Sequence, residues 1–283
     1  MHGNKTDLEY KLIFLHIHKT AGTTLDRVVS RQYKADTIFR FTDPEKSIIE
    51  YGRMPEKDRR KYKLITGHMA AAGHSAFVDP VHNHIPSPCI YITLLRDPVS
   101  RVISQYYHVL RHPNVSWYGR VQGMSLRDFV RNKLTPDLDN GQTRVLCTQQ
   151  GNSSDVRAFG QCSVDMLEGA KRNLMERFAV VGLTERFDET LVLLQRTFGW
   201  RNIFYLRQNV STNRPRRLDV PGDVKEAILE CNELDIQLYR FAAEVFQQQI
   251  DKDAASFERD LKRFKILNKF LGRTVHYSER FLT

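Results

Sequence analysis

Several features that define other protein classes are missing from this chain of 283 residues. Its four cysteines include no CxxC pair, so we do not expect a structural zinc site. No apolar run approaches the roughly 20 residues that span a bilayer, and the stretch from Met1 to Lys11 has no apolar segment typical of a signal peptide. The chain also contains no internal repeat and no low-complexity segment. These absences favour an ordinary globular protein with a sizeable core.

Positive charge is what the chain has in excess, with a formal net charge of +10 at pH 7. A basic protein attracts polyanions such as nucleotides, nucleic acids, anionic polysaccharides or membrane surfaces. The densest basic runs, 57–63 and 214–217, do not follow a known nucleic-acid-binding pattern with interleaved aromatics. We therefore expect no nucleic-acid partner, and we keep a nucleotide or an anionic polysaccharide as candidate ligands.

Short apolar runs alternate with helical periodicity over most of the chain. Buried strands are predicted over 12–17, 62–66, 89–95, 178–181 and 202–206. Helices are predicted from near Thr23, over 99–110, over 187–198 and, almost without interruption, from Pro221 to Leu271. The segment 112–163 is polar and irregular. The alternation predicts an α/β fold in which a central parallel sheet is flanked by helices, with a helical C-terminal region, in a single domain over 1–283.

The turn between the first strand and the first helix carries residues suited to binding phosphate. It reads His18-Lys19-Thr20-Ala21-Gly22-Thr23-Thr24. Small residues let backbone N–H groups approach a phosphate, and the helix N-terminus adds partial positive charge. Lys19 supplies a full charge, although the usual triphosphate loop GxxxxGK[ST] is absent because this lysine precedes the glycine. From these residues alone, a loop whose threonines only cap the helix remains an equal alternative.

A second strand-to-helix turn places an arginine beside another helix N-terminus. The strand ending at Leu95 is followed by Arg96, Asp97 and Pro98, and proline suits the first helical position with aspartate as its cap. The planar guanidinium of Arg96 suits a phosphate. Ser104, about two turns into the helix, is placed to face the same anion. The alternative is that Arg96 pairs with an acid such as Asp97 and that Ser104 is ordinary surface.

In this order and spacing the two motifs resemble those of a family of carbohydrate sulfotransferases. The stretch 14–24 is similar to the 5′-phosphosulfate loop of that family, and 92–101, followed by the helical Ser104, is similar to its 3′-phosphate motif LRDPVSR. The group that this chain resembles contains the heparan sulfate 6-O- and 2-O-sulfotransferases and their bacterial relatives. The 6-O enzymes have Gln and Gly where this chain has His18 and Ala21, departures that should leave the backbone cradle intact.

The resemblance, which runs from Phe14 to Val210, implies a P-loop-like sheet and a particular reaction. A sulfuryl group would pass from 3′-phosphoadenylyl sulfate (PAPS) to a hydroxyl of an acceptor. A carbohydrate, such as a glycosaminoglycan-like polysaccharide, is the expected acceptor, and no metal is required. Arg96 and Ser104 would hold the 3′-phosphate, and Lys19 would also meet the charge on the leaving phosphate. The 5′-phosphosulfate would be held by a run of loop residues: Lys19, Thr20, Ala21, Gly22, Thr23 and Thr24.

A third stretch, Asp139–Arg144, resembles the N-x-Q-T/V-R segment of the same family. The resemblance implies that Gln142 and Arg144 contact the donor or the acceptor. These two residues are therefore candidate substrate-binding residues.

A base must take the proton of the acceptor hydroxyl, and histidine suits this task because its pKa lies near working pH. Two histidines, His68 and His74, follow a predicted strand. The resemblance to the 2-O enzymes favours His68, directly after Gly67, whereas the resemblance to the 6-O enzymes favours His74. We prefer His68 because its place next to the strand is better fixed, and His74 stays open. The histidine spacing is not HExxH, which agrees with a reaction that needs no metal.

Two functions of other classes remain open at this point. A kinase-like phosphoryl transferase would need an acidic magnesium ligand, for which Asp97 is the obvious candidate, and activity that survives EDTA would argue against it. A non-catalytic binder of sulfated or phosphorylated polyanions would bind with strong salt dependence and without turnover.

The expected compartment bears on the state of the cysteines. A bacterial-type cytoplasmic enzyme is the first expectation, and the Golgi-lumenal catalytic domain of a truncated membrane protein is the alternative. Cys147 and Cys162 bracket a polar loop and would be able to pair in an oxidising compartment, whereas free thiols are expected in a reducing one.

Overall fold

The computed structural model describes residues 10–68, 85, 88–115, 117–147, 159–206 and 220–280, without side-chain detail at 44, 45 and 272–280. Its strands are β1 (Lys11–Leu15), β2 (Ile38–Phe41), β3 (Leu64–Gly67), β4 (Cys89–Leu95) and β5 (Phe178–Leu183). They form one sheet in the order β2-β3-β1-β4-β5, and every neighbouring pair is parallel. The predicted α/β class with a central parallel sheet is confirmed.

The middle strand, β1, is buried along its whole length. Leu12, Ile13 and Phe14 have no exposed surface, and Leu12 lies opposite Leu64 of β3 on one side and Ile90 of β4 on the other. A continuous apolar run of this kind is typical of a parallel strand that is covered on both faces. The run therefore fixes the strand that carries the first predicted motif at the centre of the sheet.

Helices account for most of the remaining described residues. Those before the third strand and after the fourth are α1 (Gly22–Ser30), α2 (Pro44–Arg53), α3 (Glu56–Arg59), α4 (Pro98–Arg111), α5 (Tyr118–Val121), α6 (Leu126–Arg131), α7 (Gly141–Leu146) and α8 (Val164–Arg177). The remainder are α9 (Phe187–Phe198), α10 (Gly222–Cys231), α11 (Glu233–Asp251) and α12 (Ala254–Arg280). Short 3₁₀ turns occupy Ala35–Thr37, Pro136–Leu138 and Thr184–Arg186.

The strand order creates a switch point at the carboxyl ends of β1 and β4. The chain leaves β1 toward β2 and β3 on one side of the sheet, and it leaves β4 toward β5 on the other. In open α/β sheets, ligands bind in the crevice outside such a pair of strand ends. Both predicted phosphate motifs follow these two strands directly, because Lys19 lies four residues beyond Leu15 and Arg96 immediately follows Leu95.

A polar contact fixes α1 against the sheet. The Asp26 carboxylate accepts hydrogen bonds of 2.6 Å from the Thr66 hydroxyl of β3 and of 2.6 Å from Nη1 of Arg40 in β2. The N-terminus of α1 is thereby held over the carboxyl edge of the sheet.

Three sequence predictions differ from the structure. The predicted strand at 202–206 is wrong, since this segment is irregular, and β2 was not predicted. The segment 112–163, predicted to be irregular, contains α5, α6 and α7 among its described residues. Phe129 of α6 packs with Val102 of α4 and Ile228 of α10 in a second apolar cluster beside the main core. The helices of this segment have only four to six residues each, so a periodic apolar signal extends over no more than one or two turns.

No helix within the described ranges is both long enough and apolar enough to cross a membrane. Cys147 and Cys162 are free thiols, and the Cys147 thiol donates to the carbonyl oxygen of Arg144 at 3.1 Å.

Candidate active site

The loop after β1 turns sharply because two of its residues adopt the left-handed backbone region. Lys19 has a φ of 66° and Ala21 a φ of 64°. Turns of this kind direct neighbouring N–H groups toward one point and form anion-binding concavities. The helix α1 starts directly afterwards, its cap residue Ala21 makes no side-chain hydrogen bond, and the first N–H groups of any helix lack a partner within it. The loop therefore presents backbone donors where the sequence predicts the 5′-phosphosulfate.

Ala21 is a strained residue in this loop, and Ala21→Gly is expected to stabilise the protein. The left-handed region costs an L-residue about 1–2 kcal/mol, and glycine adopts it freely, although glycine also gains freedom in the unfolded chain. We expect the free energy of unfolding to rise by about 0.5–1 kcal/mol, measured by urea denaturation. The matched control is Ala227→Gly in the interior of α10, which should lower it by about 0.5–1 kcal/mol. A decrease in both variants would contradict the assignment of strain to Ala21.

Gly22 is required by the close approach of a ring. A Cβ atom at this position would lie 1.9 Å from Cδ2 of His16, far inside contact distance. The glycine therefore lets the loop fold back over the histidine at the end of β1. This packing requirement is separate from the close approach to phosphate that the sequence predicts.

The loop threonines differ in what they offer to a ligand. Thr20 is fully buried, and its hydroxyl donates to the carbonyl oxygen of Ile17 at 2.9 Å. Its hydroxyl is thus used within the loop, and only its main chain is left to face an anion. Thr23 is exposed and Thr24 is half-buried, as hydroxyl donors to a ligand need to be.

The two predicted phosphate motifs meet across the neighbouring strand ends. Nη1 of Arg96 donates to the carbonyl oxygen of Lys19 at 2.9 Å. The hydroxyl of Thr184, after β5, lies 2.8 Å from the carbonyl oxygen of Thr20 and 3.0 Å from that of Leu95. These contacts use main-chain oxygens of both segments, so the loop after β1 and the end of β4 form one surface.

Gln142 supports Arg96 from beneath this surface. Its Oε1 accepts from the backbone N–H of Arg96 at 2.9 Å, and its Nε2 donates to the backbone oxygen of Arg96 at 2.9 Å. The side chain is completely buried, and both ends of its amide are occupied by main chain. In this structure Gln142 therefore holds the main chain of Arg96, and its contact with the donor or the acceptor stays a prediction.

Arg144 also belongs to the framework rather than to the surface of the site. It has no exposed surface, Nε donates to the carbonyl oxygen of Asp139 at 2.7 Å, and Nη2 pairs with the Asp139 carboxylate. Asp235 of α11 accepts from the backbone N–H groups of Gln142 and Thr143 at 3.1 and 2.7 Å. Through these contacts a C-terminal helix anchors the segment that holds Arg96.

The helix after Arg96 has the predicted start. Oδ1 of Asp97 accepts from the backbone N–H of Ser100 at 2.9 Å, and Pro98 occupies the first turn. The expected cap is confirmed. Ser104 lies on the same helix, α4, and only 8% of its surface is exposed. Its contact with a 3′-phosphate stays a prediction.

His68 stands at the end of β3 in a tautomer suited to accepting a proton. Its Nδ1 lies 2.9 Å from the carbonyl oxygen of His16. A carbonyl oxygen only accepts, so Nδ1 carries the hydrogen and Nε2 has the free lone pair. Gly67 makes this turn possible, since it has a φ of 124° and a Cβ there would lie 2.4 Å from the carbonyl oxygen of Phe41.

The surroundings of His68 keep it neutral. Burial is the main cause that lowers its pKa to about 4, and the neighbouring His18 and Lys19 lower it further. The hydrogen bond to His16 and the charge of Asp137 act in the opposite direction. The imidazole is therefore unprotonated at neutral pH, as a general base must be.

Four rings form a column that runs from the core to the surface, which we name the ring column. The ring centroids are 5.6 Å apart for Phe14 and His16, 4.1 Å for His16 and His68, and 3.8 Å for His68 and His18. Phe14, His16 and His18 alternate along β1 and its extension, and a period of two places them on one side of the strand. His68 enters from β3 between the last two.

The sequence did not lead us to predict the contacts of His16 and His18 with His68. The loop motif drew attention to the backbone, and His18 was read only as a departure from the family pattern. The available signal was the alternation of ring residues at 14, 16 and 18, which predicts a shared side for these side chains. The ring of His18, which stacks on that of His68, lies fifty residues away in the chain, and local patterns do not reveal such a pairing.

His74 lies outside the described residues, so its candidacy as base stays a prediction. Within the ranges that the structure describes, no cluster of three or more His, Cys, Asp and Glu side chains is arranged to hold a metal ion.

A parallel sheet whose carboxyl edge carries a loop suited to binding an anion, together with a neutral histidine, is suited to the transfer of an anionic group. The family model described as galactose-3-O-sulfotransferase matches residues 4–280. The chain belongs to this family and is an O-sulfotransferase, which confirms the class that the motifs predicted.

The chain is also similar to individual proteins. Heparan-sulfate 6-O-sulfotransferase 1 of Cricetulus griseus is 28% identical over 290 aligned residues, which cover 89% of this chain and 70% of the relative. The Homo sapiens protein of the same name is also 28% identical, with 89% and 68% covered. A sulfotransferase structure from Alicyclobacillus acidocaldarius matches with a TM-score of 0.48 and 14% identity, covering 84% of this chain and 96% of the other.

Proposed function

We propose that this chain transfers a sulfuryl group from PAPS to a hydroxyl group of a carbohydrate, with a glycosaminoglycan-type polysaccharide as the acceptor. The observation that carries the proposal is the 2.9 Å hydrogen bond from Arg96 to the carbonyl oxygen of Lys19. It joins the two predicted phosphate motifs, and motifs this close fit one ligand with two phosphate groups better than two separate ligands. The heparan-sulfate relatives and the net charge of +10 support an anionic polysaccharide as acceptor.

The residues present fit a phosphosulfate group. The left-handed conformations of Lys19 and Ala21, together with the uncapped start of α1, leave backbone donors directed at one point. Lys19 adds a full positive charge, and this charge is near enough to lower the pKa values of His16, His18 and His68. The positive charge of Lys19 and the candidate base His68 are thus close enough to affect each other electrostatically.

In the proposed mechanism, His68 and Lys19 act on opposite sides of the transferred group. The oxygen of the acceptor hydroxyl forms a bond to sulfur, and Nε2 of His68 accepts the proton that this hydroxyl loses. The bond from sulfur to the phosphate oxygen breaks, and Lys19 stabilises the charge that develops on this oxygen. The products are a sulfate ester and the 3′,5′-bisphosphate. The backbone donors of the loop and Arg96 hold the phosphates in place.

The function is tested by incubating the protein with ³⁵S-labelled PAPS and a panel of acceptors. The panel contains desulfated heparan sulfate, a galactose-terminated oligosaccharide, a small alcohol and a phenol, each with and without EDTA. We expect label to enter a carbohydrate, independently of EDTA. Labelling of the phenol or small alcohol alone would overturn the carbohydrate acceptor, and labelling of no acceptor would overturn the proposed function.

Arg96→Ala is expected to weaken donor binding. If Arg96 holds the 3′-phosphate in both the ground state and the transition state, its loss appears mainly in KM. A charge-assisted hydrogen bond contributes about 1.5–3 kcal/mol, so we expect KM for the donor to rise roughly 10- to 100-fold. The control Arg201→Ala removes an exposed arginine after α9 and should change little.

The same site is tested on the wild-type protein with a donor that lacks the 3′-phosphate. We expect this analogue to bind more weakly than PAPS, by a factor similar to that of the Arg96 variant. Equal use of both donors by the wild type would contradict the assignment of Arg96 to a 3′-phosphate.

A further inference from the structure

We propose that His18 is a positioning residue for the base, whose ring closes the ring column over His68 and holds the imidazole in one orientation. This inference rests on the proposed role of His68 in sulfuryl transfer. The 6-O enzymes that this chain resembles have a glutamine at the position of His18. The stacking of His18 on His68 is therefore a feature of this chain's own sequence.

The geometry of the ring column restrains His68 on both faces. The His18 ring is 3.8 Å away at an interplanar angle of 8°, and the His16 ring is 4.1 Å away at 30°. Two rings at these distances do not fit on the same face of a third ring, so His16 and His18 lie on opposite faces. His68 is therefore sandwiched between them.

The hydrogen bond to His16 alone does not fix the ring plane of His68. It holds the imidazole at Nδ1, and the covalent bond to Cβ holds it at Cγ, so the ring is still able to tilt about the line through these two atoms. The ring of His18, stacked at 8°, and the ring of His16, tilted at 30°, restrict this tilt. A base must be held close to its productive geometry, because a displacement of about 1 Å is able to cost on the order of 10² in rate.

His18 is suited to stacking because it is also kept neutral. Burial of part of its ring is the main cause that lowers its pKa; the charges of Arg101 and Lys19 act in the same direction, and Asp137 opposes them. His108 of α4 also faces this group, and its pKa is lowered partly by the charge of His18. Two neutral imidazoles stack without the repulsion that two cations would have.

The inference is tested with His18→Ala and His18→Phe. Alanine removes the ring that stacks on His68, whereas phenylalanine restores a stacking ring that is unable to carry a proton. We expect His18→Ala to lower kcat by about 10-fold or more, with KM for PAPS unchanged. His18→Phe should recover kcat to within a few-fold of wild type. The matched control is His112→Ala, which removes an exposed histidine at the end of α4 and should keep the wild-type kcat.

A second readout needs neither donor nor acceptor. In ¹⁵N–¹H spectra of the histidine side chains, wild-type His68 should show one tautomer, with the hydrogen on Nδ1. In His18→Ala this signal should broaden or move toward a mixture of tautomers, and in His18→Phe it should return. Circular dichroism verifies that each variant is folded.

Two results would overturn the inference. The first is a wild-type kcat together with an unchanged His68 signal in His18→Ala. The second is a phenylalanine variant as slow as the alanine variant with a normal His68 signal, because His18 would then move a proton itself. If wild-type protein transfers no sulfuryl group at all, the proposed function fails, while the spectra still decide whether His18 orients His68.

Discussion

Replacing His68 by alanine is expected to lower kcat by about 10²- to 10⁴-fold, the usual contribution of a general base. The affinity for the donor should be kept, because the phosphate contacts proposed for the loop after β1 and for Arg96 do not involve this ring. The hydrogen bond to His16 leaves Nε2 as the proton acceptor, and no other described histidine combines this tautomer with a place at the end of β3. Isothermal titration with the 3′,5′-bisphosphate and steady-state kinetics separate the two effects.

The pH profile gives an independent test of the same residue. The pKa of His68 is lowered to about 4, and the active form is the unprotonated one. The acidic limb of kcat/KM should therefore fall as pH drops through about 4, rather than near the ordinary histidine value of about 6.5. In His68→Ala this limb should disappear.

Stability must be followed in the same pH range. The pKa values of His16 and His68 are lowered to about 2 and about 4 in the folded protein, so the unfolded chain binds more protons than the folded one at acidic pH. The stability that these groups contribute is complete above the unfolded pKa of about 6.5 and is lost progressively as pH falls below it. Circular dichroism at each pH distinguishes loss of fold from loss of the base.

The conservative variant His68→Asn is the matched control for structure. An asparagine amide is able to donate to the His16 carbonyl oxygen in place of Nδ1, yet it does not accept a proton at working pH. His68→Asn should be as inactive as His68→Ala, and its free energy of unfolding should be higher than that of His68→Ala. If His74→Ala loses kcat and the acidic limb while His68→Ala keeps both, the base is His74. If both variants keep full kcat, neither histidine is the base.

How far the sequence predicts this molecule depends on whether the signal is local. The continuous apolar run of β1 and the periodic helix at 187–198 were predicted, the helix with the bounds that the structure has. The small-residue turn between β1 and α1 was also legible, because the residues that form it are consecutive. For such elements the sequence itself contains the evidence.

Elements that depend on distant partners were not predictable in this way. The segment 202–206 has strand-like composition but is irregular: the Phe204 ring stacks on Phe264 of α12 at 5.8 Å, and the Tyr205 N–H donates to Asn268 at 2.9 Å. A helix thus takes the contacts that a neighbouring strand would have made. Conversely, β2 has only four residues, one of which, Arg40, is exposed, so its apolar signal is weak.

The candidate site shows the same division. The resemblance pointed to Gln142, but its hydrogen bonds to Arg96, which lies 46 residues earlier in the chain, were not predictable from the sequence. The partners of His68 in the ring column come from the other side of a strand pairing. The sequence and the resemblance pointed to individual residues, whereas the contacts between residues distant in the chain became visible only in the structure.

Replacing Lys19 by alanine is expected to lower kcat by about 10²- to 10³-fold, the usual cost of removing one donor to a developing oxyanion. The substitution isolates the ammonium group, because Arg96 bonds the backbone oxygen of Lys19 and this oxygen remains in the variant. Alanine also tolerates the left-handed φ of 66° about as well as lysine does. The 3′,5′-bisphosphate product should therefore still bind measurably in titration calorimetry.

The controls for this variant separate charge from shape and place. Lys19→Arg keeps a positive charge with a different shape and should retain more activity than Lys19→Ala. Lys34→Ala removes an exposed lysine that precedes β2, at the opposite edge of the sheet from the strand carboxyl ends, and should leave kcat unchanged. Because the charge of Lys19 lowers the pKa of His68, the residual activity of Lys19→Ala should show an acidic limb moved to higher pH. Turnover near the wild-type value in Lys19→Ala would remove this residue from the transfer step and leave the backbone donors of the loop as the stabilising groups.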